Sequence, residues 1–249
     1  MLTAIIIARN EELNIASAVR SVSFSDEVLV IDNASSDKTS QVAQEHGARV
    51  VTSSIEGDFG TLRNFAVEQA SNEWILFIDA DEAVSDDLRV HIKHELEHPQ
   101  FSGYYLRRRD HFWGRILEHG EVSTVYERGI IRLMKKATGA WKGNIHEEWT
   151  TDQVVGGIDG FIEHYPHPDI GSFLESINTY STIRARELGK LGERVGIFQL
   201  IAYPIGKFVY TYIIKSGYRD GAAGFVYSFM MSFHSFLVRA KAISMKYGV

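Results

Sequence analysis

The chain has 249 residues, of which 45% are hydrophobic and 23% charged, values typical of a folded globular protein and not of a disordered one. This length allows one large domain or one domain with an appendage. The chain contains no cysteine, which excludes a disulfide framework and a thiolate metal site. The N-terminal segment MLTAIIIARNEE has no basic lead and only a short apolar run, so we expect a buried first strand and not a signal peptide.

Short apolar runs alternate with helical patterns through the first hundred residues. The sequence predicts strands at 2–8, 27–32, 48–53 and 74–79, separated by helices near 12–22, 37–46 and 62–69. This alternation predicts an α/β fold with a mostly parallel sheet and helices on both faces. Ligands of such sheets bind beyond the carboxyl ends of the strands, where the polar clusters of this sequence also fall.

The pattern changes after residue 100. GYYLRRRDHFWG and RGIIRLMKK have the composition of extended or antiparallel strands, and ATGAWKGNIHEEW is predicted to be a loop. Within the arginine run 107–109, alternate side chains on a strand must point apart, so only part of the run can bind one phosphorylated acceptor. From Ser172 onward the chain is predicted to be helical.

Asp79 and Asp81 follow the buried strand WILFID, one residue apart, with Glu82 beside them. On an extended strand end both aspartates would point the same way, and their charges would raise each other's pKa. Mg²⁺ and Mn²⁺ prefer oxygen ligands, so a divalent cation with a phosphate-bearing ligand could offset the repulsion. The alternative is a strand-to-helix turn in which Asp81 or Ser85 caps the next helix.

Three further clusters are candidates, the first two of them at the same edge. They are VIDNASSDKT at 30–39, ARNEE at 8–12, and Arg63 with Asn64 after Gly60. The first could bind a base or ribose, and a cation in the third could meet a diphosphate. Asx turns, helix starts and solvated helix faces are the structural alternatives.

Taken in chain order, the four clusters resemble the motifs of family 2 glycosyltransferases of the GT-A fold. The motifs that carry the resemblance are IIARNEE, VIDNASSDKT, GxxRN at 60–64 and DAD at 79–81. The similarity continues through RRRDHFWGR, NIHEEW and GYRDGAAGF, as in the bacterial β-glucosyltransferases of lipopolysaccharide-core biosynthesis. One departure is Ala8, where the family commonly has proline.

The resemblance implies an inverting enzyme that uses a nucleotide-sugar donor, with a UDP-hexose such as UDP-glucose expected. The residues implied in donor binding are Ala8, Asn10 and Glu11 around the nucleoside, Asp32 facing the base, Arg63 near the phosphates and Asp79 near the ribose or sugar. Asp81 would ligate a Mg²⁺ or Mn²⁺ ion on the diphosphate. Nucleic acid is not an expected partner.

An inverting displacement also needs a base within hydrogen-bond reach of the acceptor hydroxyl. Glu147 of NIHEEW is the first candidate, since the similar glucosyltransferases carry a His-Glu pair there. Glu148 is the second candidate and Asp110 a weaker third, while a solvated loop is the structural alternative. His146 or His164 could complete the metal shell.

The charge of the chain is divided unevenly. Residues 1–170 hold 16 Lys and Arg against 28 Asp and Glu, a balance of −12, whereas residues 171–249 hold 10 against 4, a balance of +6. We therefore predict two parts: a GT-A nucleotide-sugar-binding catalytic domain at 1–170 and a helical basic and aromatic region at 171–249.

The apolar stretch 195–214 has nearly the length of a membrane span, but Gln199, Pro204, Gly206 and Lys207 interrupt it. Basic residues interleaved with Phe and Tyr favour an anionic lipid surface. The sequence thus predicts a cytoplasmic enzyme attached peripherally to the inner face of the cytoplasmic membrane, with a lipid-linked or lipopolysaccharide-core acceptor. Packing on the catalytic domain or a homo-oligomer interface is the alternative use of these helices.

Two other functions remain open from the sequence. A nucleotidyltransferase can also use a metal ion and a parallel sheet, but would release pyrophosphate. A non-catalytic membrane-docking module could retain a nucleotide-sugar pocket, and would bind the donor without turnover.

Overall fold

A computed structural model describes residues 1–143, 147–193 and 195–246. The chain divides into two compact units. Unit 1 comprises Met1–Arg109 with Val125–His164, and unit 2 comprises Asp110–Thr124 with Tyr165–Val249. The predicted boundary at residue 170 stays a prediction.

Strands and helices alternate in the first part of the described chain. The strands are β1 (Leu2–Ala8), β2 (Glu27–Asn33), β3 (Arg49–Ser53), β4 (Trp74–Asp79), β5 (Glu82–Val84), β6 (Gly103–Phe112), β7 (Arg115–Leu117), β8 (Ile130–Lys135), β9 (Ala140–Lys142), β10 (Glu148–Thr150) and β11 (Gly156–His164). The helices are α1 (Ile15–Ser21), α2 (Thr39–Glu45), α3 (Phe59–Gln69), α4 (Asp86–Glu97), α5 (Ser123–Arg128), α6 (Ile170–Lys190), α7 (Ile197–Phe208) and α8 (Gly221–Lys246).

The main sheet has the strand order β3-β2-β1-β4-β8-β6-β11-β5. Strands β3, β2, β1 and β4 are parallel, whereas β8 runs antiparallel to β4 and β6 antiparallel to β8. The predicted α/β class, with a Rossmann-like and mostly parallel central sheet and a C-terminal helical region, is confirmed. The parallel order β2-β1-β4 brings three carboxyl ends together at one edge.

Side chains of the central strands alternate between two apolar cores, one on each face of the sheet. Ile6 and Leu76 join the core beneath α1, α2 and α4, whereas Ile5 and Phe77 join the core that packs against α3. All four side chains are fully buried. Strands covered on both faces give the continuous apolar runs IIIA and WILFID, which is why these strands were visible in the sequence.

The segment 137–149 is not a simple loop, contrary to the sequence prediction. Within it β9 and the start of β10 form a two-stranded antiparallel sheet in which Trp141 lies opposite Trp149. Both tryptophans are 6% exposed and belong to the core against α3. Buried area from two tryptophan side chains stabilises this small sheet, because strands of three residues have few hydrogen bonds of their own.

Unit 2 contains an apolar core of its own and three long helices. The apolar core includes Phe112, Phe173, Ile177 and Met230. These side chains come from the end of β6 and from helices α6 and α8. Four oxygens of α6 lie within 2.8 Å of Nζ of Lys241 on α8, the nearest being the Asn178 carbonyl at 2.6 Å, and they share its three N–H donors. These contacts tie α8 to α6.

Two helical segments of unit 2 are long and apolar enough to cross a membrane, judged by length and composition alone. They are Ile197–Ile214, which continues α7 through a π-helical stretch at Val209–Ile214, and Gly217–Lys246. Buried residues make up only 6% of the first segment and 28% of the most apolar 18-residue stretch of the second. The first segment therefore leaves most of its apolar side chains uncovered within the described structure.

Candidate functional site

The carboxyl ends of β1, β2 and β4 bring together the clusters ARNEE, VIDNASSDKT and DAD. In the parallel ladders Ala8 lies opposite Asp32, and Ile7 lies opposite Asp79. Glu11, just beyond β1, has its pKa raised by burial and by the charges of Asp81, Asp37 and Asp79, against a hydrogen bond from Asn14 that lowers it. The predicted convergence of polar side chains is therefore present in unit 1.

Asp79 is held by arginines through both of its carboxylate oxygens. Arg132 donates from Nη2 to Oδ2 at 2.6 Å, and Arg63 donates from Nη2 to Oδ1 at 3.1 Å. Burial alone would raise the pKa of Asp79, but Arg132, Arg63 and Arg108 together hold this pKa well below its usual range. Asp79 is thus an ionised carboxylate fixed in place.

Glu82 is the second acid of the cluster; its side chain is fully covered, whereas that of Asp79 is 32% exposed. Its Oε2 accepts the backbone N–H of Asp79 at 2.9 Å, while Oε1 accepts from Arg108 at 3.2 Å and Arg132 at 3.4 Å. Arginine side chains therefore offset the repulsion between Asp79 and Glu82, for which the sequence had suggested a divalent cation. The charges of Asp79 and Glu82 also raise the pKa of Arg132, against the lowering effect of its burial.

Asp81 stands apart from this arginine network. Its Oδ2 lies 3.3 Å from Nε2 of His164, the last residue of β11, and both side chains are partly exposed. The two residues meet because β11 pairs with β5, which places His164 opposite Glu82. Among the described residues there is no group of three or more side chains arranged to hold a metal ion. His146 lies outside the described residues.

Asn10 and Asp32 shape the loops at the ends of β1 and β2. Asn10 Oδ1 accepts the Ser36 N–H at 2.8 Å, and the Asn10 N–H donates to Ser35 Oγ at 2.9 Å. Asp32 Oδ1 accepts the Ser35 N–H at 2.9 Å, and its Oδ2 accepts from Ser40. The Asx-turn alternative therefore accounts for the hydrogen bonds of Asp32 within the chain.

Asn33 differs from Asp32 in having an unused acceptor. Its Nδ2 donates to the Ile55 carbonyl at 2.9 Å, but its buried Oδ1 has no hydrogen-bond partner in the part of the chain that the structure describes. A buried carbonyl without a donor costs on the order of 1–3 kcal/mol. The sequence analysis did not single out Asn33 within its cluster.

The GxxRN motif of α3 contacts the β9–β10 pair. Asn64 donates from Nδ2 to the Trp141 carbonyl and accepts the Trp141 N–H at Oδ1, both at 2.9 Å. A Cβ on Gly60 would lie 2.4 Å from the Gly143 carbonyl oxygen, so only glycine allows this approach. Gly60, Arg63 and Asn64 share one face of α3 through their i, i+3 and i+4 spacing.

Glu147 and Glu148 point in different directions. Oε1 of Glu147 accepts from Nε of Arg63 at 2.8 Å, and its side chain is 13% exposed. Glu148 is exposed at the start of β10, opposite Lys142. The third base candidate, Asp110, is buried and belongs to unit 2. Glu147 is thus the candidate base that contacts other candidate site residues of unit 1.

The arginine run of β6 is divided between two surroundings. Arg108 donates to Glu82 in the acid cluster, whereas the guanidinium groups of Arg107 and Arg109 lie 4.6 and 4.4 Å from the centre of the Phe161 ring. Arg107 and Arg109 line a separate cavity of about 530 Å³ with Phe161 and Asp159. The expected alternation along the strand is confirmed.

Arg132 is the main site residue that the sequence analysis missed. It lies in β8 between Ile131 and Leu133, and it is 4% exposed. A single cation within an apolar strand is a signal for a buried ion pair, because an unpaired buried charge is very costly. Its partner Asp79 lies in β4, the antiparallel neighbour of β8.

The sheet, with its polar edge and antiparallel extension, defines the chain as a protein of the GT-A glycosyltransferase fold. Glucosyl-3-phosphoglycerate synthase of Mycobacterium tuberculosis, solved with Mn²⁺, UDP and glucosyl-3-phosphoglycerate, superposes with a TM-score of 0.52 at 17% identity. The similarity covers 78% of this chain and 81% of that one. Residues 3–160 match the family model Glycosyl transferase family 2. The chain belongs to this family and is a glycosyltransferase.

Two curated relatives match almost the whole chain. An uncharacterized glycosyltransferase of Rickettsia typhi is 31% identical over 96% of this chain and 86% of its own length. The lipopolysaccharide core biosynthesis glycosyltransferase LpsC of Rhizobium meliloti is 27% identical over 96% of this chain and 91% of its own length. The resemblance noted from the motifs is confirmed at the level of the family and of a lipopolysaccharide-core relative.

Proposed function

We propose that this glycosyltransferase moves a hexosyl group, with glucose as the first candidate, from a UDP-sugar to a lipopolysaccharide-core or other lipid-linked glycan. The observation that carries the proposal is a continuous set of contacts from Asp79 through Arg63 to Glu147. It joins two candidate donor-binding residues to a candidate base. The similarity to LpsC supports the acceptor class, and the UDP complex of the M. tuberculosis synthase supports the donor class.

The donor nucleoside would lie against Ala8, Asn10 and Glu11. We favour Asn33 over Asp32 as the residue that contacts the nucleobase of the donor directly, because both oxygens of Asp32 already accept hydrogen bonds within the chain. The free Oδ1 of Asn33 would accept an N–H donor of the base, such as N3–H of uracil. Asp32 would then hold the loop that carries Ser35 in the shape that the base requires.

Asp81 and His164 would hold the divalent cation in this proposal. Adjacent ligand atoms of an octahedral ion with bonds of about 2.1 Å are roughly 3 Å apart. The observed separation of 3.3 Å between Asp81 Oδ2 and His164 Nε2 matches that requirement. Mg²⁺ commonly takes only one or two protein ligands together with substrate phosphates, and Mn²⁺ accepts the same oxygen donors. Asp79 is not proposed as a ligand, because the guanidinium groups of Arg132 and Arg63 beside it would repel a cation.

The reaction would invert the anomeric carbon. Glu147 takes the proton of the acceptor hydroxyl as the acceptor oxygen bonds to that carbon. The bond from the anomeric carbon to the diphosphate oxygen breaks, and its electron pair leaves with the nucleoside diphosphate. A bound cation supplies Lewis-acid stabilisation of the leaving diphosphate. Arg63 adds positive charge beside the phosphates, and Asp79 orients the ribose or sugar hydroxyls.

The helices of unit 2 would hold the enzyme on the inner, anionic face of the cytoplasmic membrane, where a lipid-linked acceptor is presented. Large apolar residues are exposed at intervals of four along α7 and its π-helical extension. They are Ile197, Ile201, Ile205, Val209 and Ile213. The positive balance of residues 171–249 suits anionic lipid. A homo-oligomer through these helices is the alternative.

The proposal is tested by nucleoside diphosphate release from a panel of nucleotide sugars, with Mn²⁺, Mg²⁺ or EDTA, and with or without a bacterial lipid extract. We expect one UDP-hexose to turn over, to stop in EDTA and to accelerate with the extract. Asp81→Asn and His164→Asn should require more Mn²⁺, whereas Glu148→Gln should not. Pyrophosphate as the product would indicate a nucleotidyltransferase. Donor binding without turnover in any condition would indicate a docking module.

A further inference from the structure

The guanidinium group of Arg63 is shared between two carboxylates. Nε donates to Glu147 Oε1 at 2.8 Å, and Nη2 donates to Asp79 Oδ1 at 3.1 Å. The ring centres of Phe77 and Trp141 lie 5.2 and 4.8 Å from Cζ, so both aromatic side chains pack close to the guanidinium group. Arg63 therefore connects Asp79, at the end of β4, with Glu147, just before β10.

The third nitrogen of Arg63 is not satisfied. Nη1 is buried, yet no hydrogen-bond acceptor reaches it from the described residues. Guanidinium donors have a planar fork that matches two oxygens of a phosphate group. Arg63 offers two such forks: at Nη1 with Nη2 a diphosphate would compete with Asp79, and at Nε with Nη2 it would compete with Asp79 and Glu147. The second fork is the one that concerns Glu147.

Glu147 is the carboxylate that such competition would release. Asp79 keeps Arg132 as a second partner at 2.6 Å, so it loses little when Arg63 turns away. Among the contacts that the structure describes for Glu147, Arg63 is the ion-pair partner. While Oε1 of Glu147 accepts from the guanidinium, this carboxylate has one oxygen fewer to offer to a sugar hydroxyl.

We propose that Arg63 is a latch on Glu147: it holds the carboxylate in the empty enzyme, and the donor diphosphate takes Arg63 over and frees Glu147 to act as base. This inference rests on the proposed function, in which Glu147 is the base and Arg63 meets the phosphates. The latch prevents an activated base from facing water before the donor is bound.

Glu147 stays near the reacting centre after release because other contacts hold its strand pair. Asn64 binds both the N–H and the carbonyl of Trp141, and Gly60 admits the Gly143 carbonyl against α3. The motif GxxRN thus combines a fixed attachment, through Gly60 and Asn64, with one exchangeable contact, through Arg63.

The latch predicts that Glu147 and the donor oppose each other's binding. We would measure UDP binding with Mn²⁺ by calorimetry for the wild type, Glu147→Gln and the matched control Glu148→Gln. Glu147→Gln keeps the shape of the side chain but removes the charge that competes for Arg63. We expect UDP to bind roughly tenfold more tightly to this variant, since one charge-assisted hydrogen bond exchanged is worth about 1.4 kcal/mol. Glu148→Gln should bind UDP as the wild type does.

A double-mutant cycle separates the latch from a general charge effect. In an Arg63→Met background, or an Arg63→Lys background should the first fail to fold, Glu147→Gln should no longer tighten UDP binding. Equal tightening with and without Arg63, or weaker UDP binding to Glu147→Gln, would overturn the latch alone. Failure of the wild type to bind any nucleoside diphosphate would overturn the proposed donor class and the latch with it.

Discussion

Arg132 reaches Asp79 across the boundary between the parallel and antiparallel parts of the sheet. Its Nη2 lies 2.6 Å from Asp79 Oδ2, and the Arg132 side chain is 5% exposed. The antiparallel pairing of β8 with β4 is what allows this contact. A strand of the antiparallel part of the sheet therefore fixes the first aspartate of the DAD motif.

The first prediction concerns this ion pair. Arg132→Leu should lower the free energy of unfolding by about 3–5 kcal/mol, because it leaves the buried Glu82 and the partly buried Asp79 with fewer cations. Urea unfolding at neutral pH measures the change. As a control, Arg89→Leu removes an exposed ion pair with Asp86 and should cost less than about 1 kcal/mol. Equal losses for the two variants would contradict a special role for the buried pair.

The second prediction concerns Asn64 as a positioning residue for Glu147. Asn64→Leu keeps the volume but removes both hydrogen bonds to Trp141. We expect kcat to fall on the order of 10²-fold, since a displacement of about 1 Å in a catalytic group has that effect. Donor affinity, measured as UDP binding, should change little.

The control for Asn64 is Asn72→Leu, which removes a hydrogen bond to Thr3 at the other end of β1. This variant should retain kcat even where it lowers stability. A proportional loss of kcat and of folded protein in both variants would reduce Asn64 to a structural residue. Return of activity in Asn64→Gln, whose amide can donate and accept again, would support positioning.

These two cases show which parts of the site are visible in the sequence. WILFID was recognisable because a strand covered on both faces is apolar throughout, and the acids after it marked the ligand edge. The pairing of Arg132 with Asp79 was not recognisable in the sequence. It joins residues 53 positions apart, in strands whose neighbours the sequence does not specify. Strand β9 was missed because three residues are too few to show a period.

The different hydrogen bonding of Asp32 and Asn33 was also not visible in the sequence. The cluster VIDNASSDKT identified a polar strand end, but residue type alone did not indicate which side chain keeps a free acceptor. That depends on Ser35 and Ser40 folding back onto Asp32, which is a property of the loop conformation. Roles of individual residues in such a cluster therefore require the hydrogen-bond network.

The third prediction concerns acid stability and the start of β2. Glu27 accepts hydrogen bonds from Thr3, Ser71 and Arg49. Burial tends to raise its pKa, but these hydrogen bonds outweigh burial and lower the pKa of Glu27 to about 2. Because the folded pKa lies below the unfolded one, this stabilisation is present above about pH 4.5 and is lost as the pH falls toward 2.

Glu27→Gln should therefore destabilise the protein by about 2 kcal/mol at neutral pH, the scale of hydrogen bonds to a charged group. The difference from the wild type should shrink between pH 4.5 and pH 2, as followed by urea unfolding over that range. Glu45→Gln, which removes an exposed carboxylate of α2, controls for the change in net charge. A constant difference across the pH range would show that the charge of Glu27 is not what stabilises the fold.

The last prediction concerns the exposed apolar stripe of α7 and its π-helical extension, formed by Ile197, Ile201, Ile205, Val209 and Ile213. Ile201 and Ile205 are 58% and 60% exposed, and burying their side chains in lipid is favourable by about 0.8 kcal/mol for each CH₂ group. Wild-type protein should sediment with vesicles that contain anionic phospholipid, and less so at high salt because Lys and Arg contribute. Ile201→Asp with Ile205→Asp should abolish this binding, whereas Val90→Asp, at an equally exposed position of α4, should not. If the wild type instead forms a dimer without lipid and the double variant is monomeric by sedimentation velocity, the stripe is an interface between copies of the chain.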